Sequence, residues 1–508
     1  MKRLNQNANP TRFRRSSGIL LHPTSLPGNF GIGDLGYEAY RWLDYLHECG
    51  CRLWQVLPLG PTGYGDSPYQ CFSTFAGNPY LISPQRLLED TLISEDQALD
   101  HPPFPSDRVD YGLLIPWKLR LLRQAYHAFL QHPHPGLEQE FFSFCTAQKD
   151  WLDDFSLFMA LKVFFQGSAW TEWDEPLRKR EPQALQDFHR AHPELVQEIQ
   201  FQQFLFFRQW QALHNYASEK GIQIIGDVPI FVAQDSCDVW SHPELFKLHP
   251  SGKPRVVAGV PPDYFSPTGQ RWGNPLYDWR AHQKSGFEWW TKRLVNSLAL
   301  YDYIRLDHFR GFIACWEVPA HSPTAEKGRW VKSPGRQLFQ HLQRHLGNHA
   351  ELPFIAEDLG IITEDVLALR QEFSLPGMRV LQFAFGDANP RNPFLPHNFD
   401  PHSVVYTGTH DNDTSAGWFA TLDDQERKFV EVYLPNISHN PAQELMRMAW
   451  SSVAVFALAP LQDVLGLGSE ARMNFPGTFG QNWTWRLTTP VSSLPVEMLR
   501  EMNYLYNR

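Results

Sequence analysis

Short apolar runs that end in polar, Gly or Pro residues recur along the chain. They are Gly18 to His22, Leu53 to Pro58, Ile222 to Asp227, Tyr303 to Asp307, Phe354 to Glu357, Met378 to Phe383, Val404 to Thr409 and Ser452 to Leu458. Several are apolar almost throughout instead of alternating, the mark of parallel strands buried on both faces. Helical patterns with caps or charged faces lie between them. Strands separated by helices predict an α/β fold, and eight such runs predict a closed (β/α)8 TIM barrel in preference to an open sheet.

The spacing of the runs is uneven. About 160 residues separate the second from the third, far more than one crossover helix needs, so a mainly helical insertion is expected at about 79–215. Helices read there over Trp117 to Leu130, Trp151 to Phe165 and Pro193 to Lys220, the last with Leu205, Phe206, Trp210 and Leu213 in helical periodicity. A second long connection, about 229–287, is rich in Pro, Gly, Asp and aromatics, as in Pro261-Pro-Asp-Tyr-Phe-Ser and Gln270-Arg-Trp-Gly-Asn-Pro. It follows a strand's C-terminal end, the active face of a barrel, where long structured loops are usually functional. The expected organisation is a basic, flexible tail over 1–17 and a single decorated barrel over 18–508.

Composition narrows the function. The 508 residues carry a net charge of −10, and the basic residues form no stripe that would track phosphates, which argues against a nucleic-acid partner. The longest apolar stretch, Val453 to Leu461, is of strand length, so no membrane span is predicted. Six scattered cysteines without a C-x-x-C pair read as reduced thiols of a cytosolic-type compartment. The first 33 residues hold five basic residues and no acid, which reads as a short tail in preference to the stub of an organellar transit sequence. The expected location is therefore the cytoplasm, or the plastid stroma in a plant or alga.

The candidate chemistry lies at the ends of the runs: Ile-Gly-Asp227, Ile-Arg-Leu-Asp307-His308, Phe-Ile-Ala-Glu357-Asp358 and, just beyond another, His410-Asp411-Asn-Asp413. The C-terminal ends of barrel strands converge, so four carboxylates are expected to meet at the mouth. Unpaired buried acids are costly, and Arg305 and Arg310 are the cations at hand for an ion-pair network. Two close carboxylates, one ionised and one kept protonated by its neighbour's charge, are also what a retaining glycosidase mechanism requires.

Arg305-Leu-Asp-His-Phe-Arg-Gly, Ala356-Glu-Asp-Leu-Gly and Tyr406-Thr-Gly-Thr-His-Asp-Asn-Asp-Thr resemble the catalytic segments of amylomaltases, the disproportionating 4-α-glucanotransferases of glycoside hydrolase family 77. Gly226-Asp-Val-Pro-Ile-Phe-Val, Tyr64-Gly-Asp-Ser-Pro-Tyr-Gln, Gln270-Arg-Trp-Gly-Asn-Pro-Leu-Tyr and Leu465-Gly-Leu-Gly-Ser-Glu-Ala-Arg-Met-Asn extend the likeness over Gly18 to Leu487. The resemblance implies transfer of α-1,4-glucan segments by double displacement, with no cofactor or metal. It implies Asp307 as nucleophile, Glu357 as general acid/base and Asp411 as transition-state stabiliser. Arg305 would orient Asp307, and His410 and Asp227 would bond the donor-site glucose. Asp263, Tyr264 and Gln270 would lie on a loop over the cleft. Ser67, Tyr69, Trp272 and Asn474 are further sugar contacts, and Tyr64 belongs to a secondary glucan site. The expected partners are maltooligosaccharides, amylose or other α-1,4-glucans, with no obligate protein partner.

Gly31-Ile-Gly-Asp-Leu-Gly36 matches a dinucleotide fingerprint, but Pro23, Pro27 and Gly28 intervene after the strand, so it reads as a mouth loop. His308, His410, Asp411 and Asp413 lack the paired histidines of a metal hydrolase. Asn436-Ile-Ser and Asn482-Trp-Thr are chance glycosylation triplets in an intracellular protein. Two rival functions remain: an α-amylase-like hydrolase with the same acids, and a glucan-binding protein, which would not need them.

Overall fold

The computed structural model describes residues 13–132, 135–262, 266–347, 351–478 and 480–508. Its strands, in chain order, are β1 (Ser16–Leu20), β2 (Leu53–Gln55), β3 (Gln223–Pro229), β4 (Val256–Val260), β5 (Gln270–Pro275), β6 (Tyr303–Asp307), β7 (Ala314–Pro319), β8 (Arg329–Lys332), β9 (Phe354–Ala356), β10 (Gly377–Val380), β11 (Ser403–Tyr406) and β12 (Phe456–Pro460). Eight of them, β1, β2, β3, β6, β9, β10, β11 and β12, pair in parallel in that order and close on β1, with Ser16 opposite Phe456. This is the (β/α)8 barrel that the eight runs predict.

Side-chain alternation explains why the runs read as continuous. Leu53, Ile225, Tyr303, Ile355, Val404 and Phe456 belong to one buried cluster, which fills the lumen. Their neighbours Trp54, Ile224, Ile304, Phe354, Val405 and Ala457 belong to a larger cluster against the surrounding helices. Both faces are dry, so both parities are apolar. Two residues further along four of these rows the side chains become polar: Gln55, Asp227, Arg305 and Glu357. Tyr406 closes the apolar layer by donating its hydroxyl to Gln55 Oε1 at 2.8 Å.

Two boundaries differ from expectation. Residues 1–12 lie outside the described residues, but the rest of the expected tail is built into the barrel. Phe13 is buried and stacks on Tyr303 at 5.1 Å, sealing the lumen from below, and β1 begins at Ser16. Arg15 donates to the carbonyls of Ser452 and Trp450 at 2.8 and 3.0 Å. The last strand starts at Phe456, four residues beyond the expected Ser452, because the Ser452 hydroxyl donates to Ala449 O and caps the preceding helix, Pro441–Ser451.

Between β2 and β3 stand the helices Tyr111–Gln131, Pro135–Ala147, Lys149–Phe164 and Pro193–Glu219. Proline at the first turn starts the long one, and its aromatics meet the others, Phe201 on Phe129 at 4.6 Å and Phe204 on Phe144 at 5.9 Å. The stretch after β3 is not merely loop. Its strands β4 and β5 join β7 and β8 in an antiparallel sheet of order β5-β4-β7-β8, which lies beside the barrel mouth. Among the described residues no helix is long and apolar enough to cross a membrane.

Candidate active site

β3 and β6 pair with Asp227 opposite Arg305 and Pro229 opposite Asp307. The period of two along β6 sends Arg305 and Asp307 to the lumen side, one above the other, while Leu306 turns to the helices. The buried Arg305 fork spans two carboxylates, NH1 to Asp227 Oδ2 at 2.6 Å and NH2 to Asp307 Oδ1 at 2.8 Å. Asp227 also accepts the Tyr69 hydroxyl at 2.8 Å, yet its Oδ1 is buried and has no partner among the described residues.

Glu357 follows β9 by one residue. Its Oε2 accepts the His308 N–H at 2.7 Å and its Oε1 the Leu359 N–H at 2.8 Å. His308 presents that N–H because it adopts a left-handed backbone, φ +51°, a conformation a non-glycine residue holds only where the surroundings impose it. Burial, and then the charge of Asp307, push the Glu357 carboxyl up to about 7, against the pull of Arg305 and the two N–H groups. Burial lowers the His308 imidazole to about 4, leaving it neutral beside Glu357.

Asp411 stands at the rim, where Asn474 Nδ2 donates to its Oδ1 at 2.6 Å and Arg472 to its carbonyl at 2.7 Å. The His410 ring stacks on Tyr69 at 5.1 Å, with Nε2 3.5 Å from Asp411 Oδ1 and a buried Nδ1 without a partner among the described residues. Tyr69 therefore ties the Asp411 side of the mouth to Asp227. Clefts of about 440 and 550 Å³ open here, the first lined by His410 and Arg472, the second by Tyr69 and Asp227.

Most residues singled out in the sequence converge here: Asp227, Arg305, Asp307, Glu357, Tyr69, His410, Asp411 and Asn474. Trp272 packs edge-on against His308 at 4.8 Å and donates to Gln270 Oε1 at 3.1 Å, which puts β5 beside the same turn. Ser67 sits one step back, its Oγ accepting the Tyr69 N–H at 3.2 Å. Tyr64 lies on that loop, 74% exposed. Asp263 and Tyr264 lie outside the described residues.

One expectation fails. Arg310 is no partner of the acids: its guanidinium lies 3.9 Å over the Trp330 ring and donates to Ile361 O at 2.6 Å. Asp413 accepts the Ser469 hydroxyl at 2.7 Å and the Thr414 N–H at 2.8 Å. One residue was missed: Trp483, which flanks both Tyr69 and His410 at 5.7 and 5.9 Å. Its only signal was an aromatic inside the Asn482-Trp-Thr triplet. Asn482 there accepts the Phe475 N–H at 3.0 Å and holds the loop.

The family model described as 4-alpha-glucanotransferase matches residues 21–492. A 4-alpha-glucanotransferase of Thermus thermophilus is 54% identical over 93% of this chain and 95% of its own. The chloroplastic/amyloplastic 4-alpha-glucanotransferase of Solanum tuberosum is 45% identical over 97% of this chain and 87% of its own. Among solved structures, the amylomaltase from Streptococcus agalactiae in complex with acarbose superposes with a TM-score of 0.94 at 39% identity, covering 97% of this chain and 100% of that one. The family-model match spans every barrel strand but β1 and all the acids of the mouth, and the chain belongs to the 4-alpha-glucanotransferase family.

Proposed function

We propose that the mouth cuts and remakes α-1,4-glucosidic bonds by double displacement, Asp307 attacking the anomeric carbon while Glu357 protonates the departing oxygen. A second glucan chain then enters; Glu357 takes the proton from its 4-hydroxyl as the sugar leaves Asp307, and the configuration is retained. Asp411 meets the donor ring as positive charge develops, held by Asn474 and Arg472. The unpartnered Asp227 Oδ1 and His410 Nδ1 receive hydroxyls of that ring. Arg305 aims Asp307 through their ion pair at 2.8 Å. The observation that carries the reading is Glu357, which burial and Asp307 hold near 7 while two backbone N–H groups fix its position. Maltooligosaccharides and amylose are the proposed substrates. All six cysteines are free, in keeping with a reducing cytoplasm or plastid stroma.

Incubation with maltotriose, with glucose, longer maltodextrins and total reducing ends followed together, tests this. Transfer yields glucose and longer chains at constant reducing ends, and Asp307→Asn abolishes both. A rise in reducing ends with no longer chains would make the protein a hydrolase instead.

A further inference from the structure

We propose that Trp330, on the edge strand β8, is a stacking platform for the incoming acceptor glucan beyond the sugar that reacts; the proposal rests on the transfer reading above. The indole is 41% exposed, although tryptophan is ordinarily sequestered. The ring is not loose: the Arg310 guanidinium lies 3.9 Å from its centroid, and Trp316, its cross-strand partner in the register of β7 and β8, packs at 5.3 Å and 65°. The result is a rigid, flat, half-open aromatic face, the form that stacks on the C–H face of a sugar ring at little entropic cost.

Its position gives the ligand. Arg310 is three residues past Asp307 and donates to the carbonyl of Ile361, four residues past Glu357. Those tethers are no more than about 10–14 Å of extended chain. Ile361 is itself 63% exposed and extends the apolar surface. The groups proposed to hold the donor sugar come from strands around the rest of the ring, Tyr69 after β2, Asp227 in β3, His410 after β11 and Asn474 after β12. Glu357 must stand between donor and acceptor, because it gives its proton to one oxygen and takes it back from the next. The surface beyond Glu357, on the loops after β6 and β9, is therefore the acceptor side. A chain of a few glucose units reaches Trp330 from there, whereas free glucose does not.

The test uses short amylose as donor, with glucose or maltotriose as the varied acceptor. Trp330→Ala is expected to raise KM for maltotriose as acceptor about tenfold, KM for glucose within about twofold of the wild type, and Trp330→Phe to restore most of the difference. Equal KM values in wild type and Trp330→Ala overturn the platform, as does an equal loss with both acceptors that Phe does not relieve. If the wild type itself forms no longer chains from maltotriose, the transfer reading has failed and the platform with it. If it does and Trp330→Ala matches it, the platform alone has failed.

Discussion

At Glu357 two kinds of force act on one proton. Burial and the charge of Asp307 favour the neutral acid, whereas Arg305 and the N–H groups of His308 and Leu359 favour the carboxylate. The net upward shift has a definite sign for catalysis. The proposed first step needs Glu357 protonated, so kcat/KM on maltotriose should hold as pH rises to about 7 and fall about tenfold per unit above it. Asp307→Asn removes the second-largest cause of the shift, and the Glu357 titration, followed by NMR on labelled glutamate, should move to lower pH. A midpoint that moved up, or not at all, would show that Asp307 does not set the proton affinity of its neighbour.

At the scale of elements, the barrel strands were legible because both faces are apolar. The same property hid their ends, and β12 lies inside a longer apolar run in which nothing in Val453 to Leu461 marks Phe456 as the start. The acids could be placed because strand termini break the run with a charge. The sheet of β4, β5, β7 and β8 was invisible: its edge strand β8 is Arg-Trp-Val-Lys, mostly exposed, with too short an alternation to read. Arg310 read as a cation at hand for the acids for the same reason, since the ring it stacks on, Trp330, sits on an unrecognised strand. The helix Pro135–Ala147 also escaped notice; none of its residues is buried, so its apolar face is weakly marked. Strand β3 offers a test of how tightly an element aims its side chain. A Cβ on Gly226 would run into the Tyr301 ring, so Gly226→Ala should push β3 off its neighbour and carry Asp227 out of line with Arg305. The expected result is a loss of about 1–3 kcal/mol of stability together with a rise in the KM for donor. A destabilised variant with an unchanged donor KM would mean that Asp227 is not held by the strand.

Across the whole molecule, packing and chemistry occupy opposite ends of one barrel. Phe13 fills the lumen floor against Tyr303 and Phe456, and the acids stand at the other end of the same strands. Phe13→Ala leaves a cavity and should cost about 3–5 kcal/mol in thermal or urea unfolding, with kcat at 25 °C nearly unchanged. A large drop in kcat alongside would mean that the floor and the mouth communicate. The two ends of the described chain also meet at that floor. Arg15 and Arg508 share the carbonyls of Trp450 and Ser452, and Arg508 donates as well to Ser16 O, at the foot of β1. Anything attached after Arg508 therefore hangs from the pole opposite the cleft. An enzyme anchored to a bead through a linker after Arg508 should face outward and keep its activity on long, slow-diffusing polymers, and one anchored through a cysteine placed near Tyr64 should keep it only on short chains.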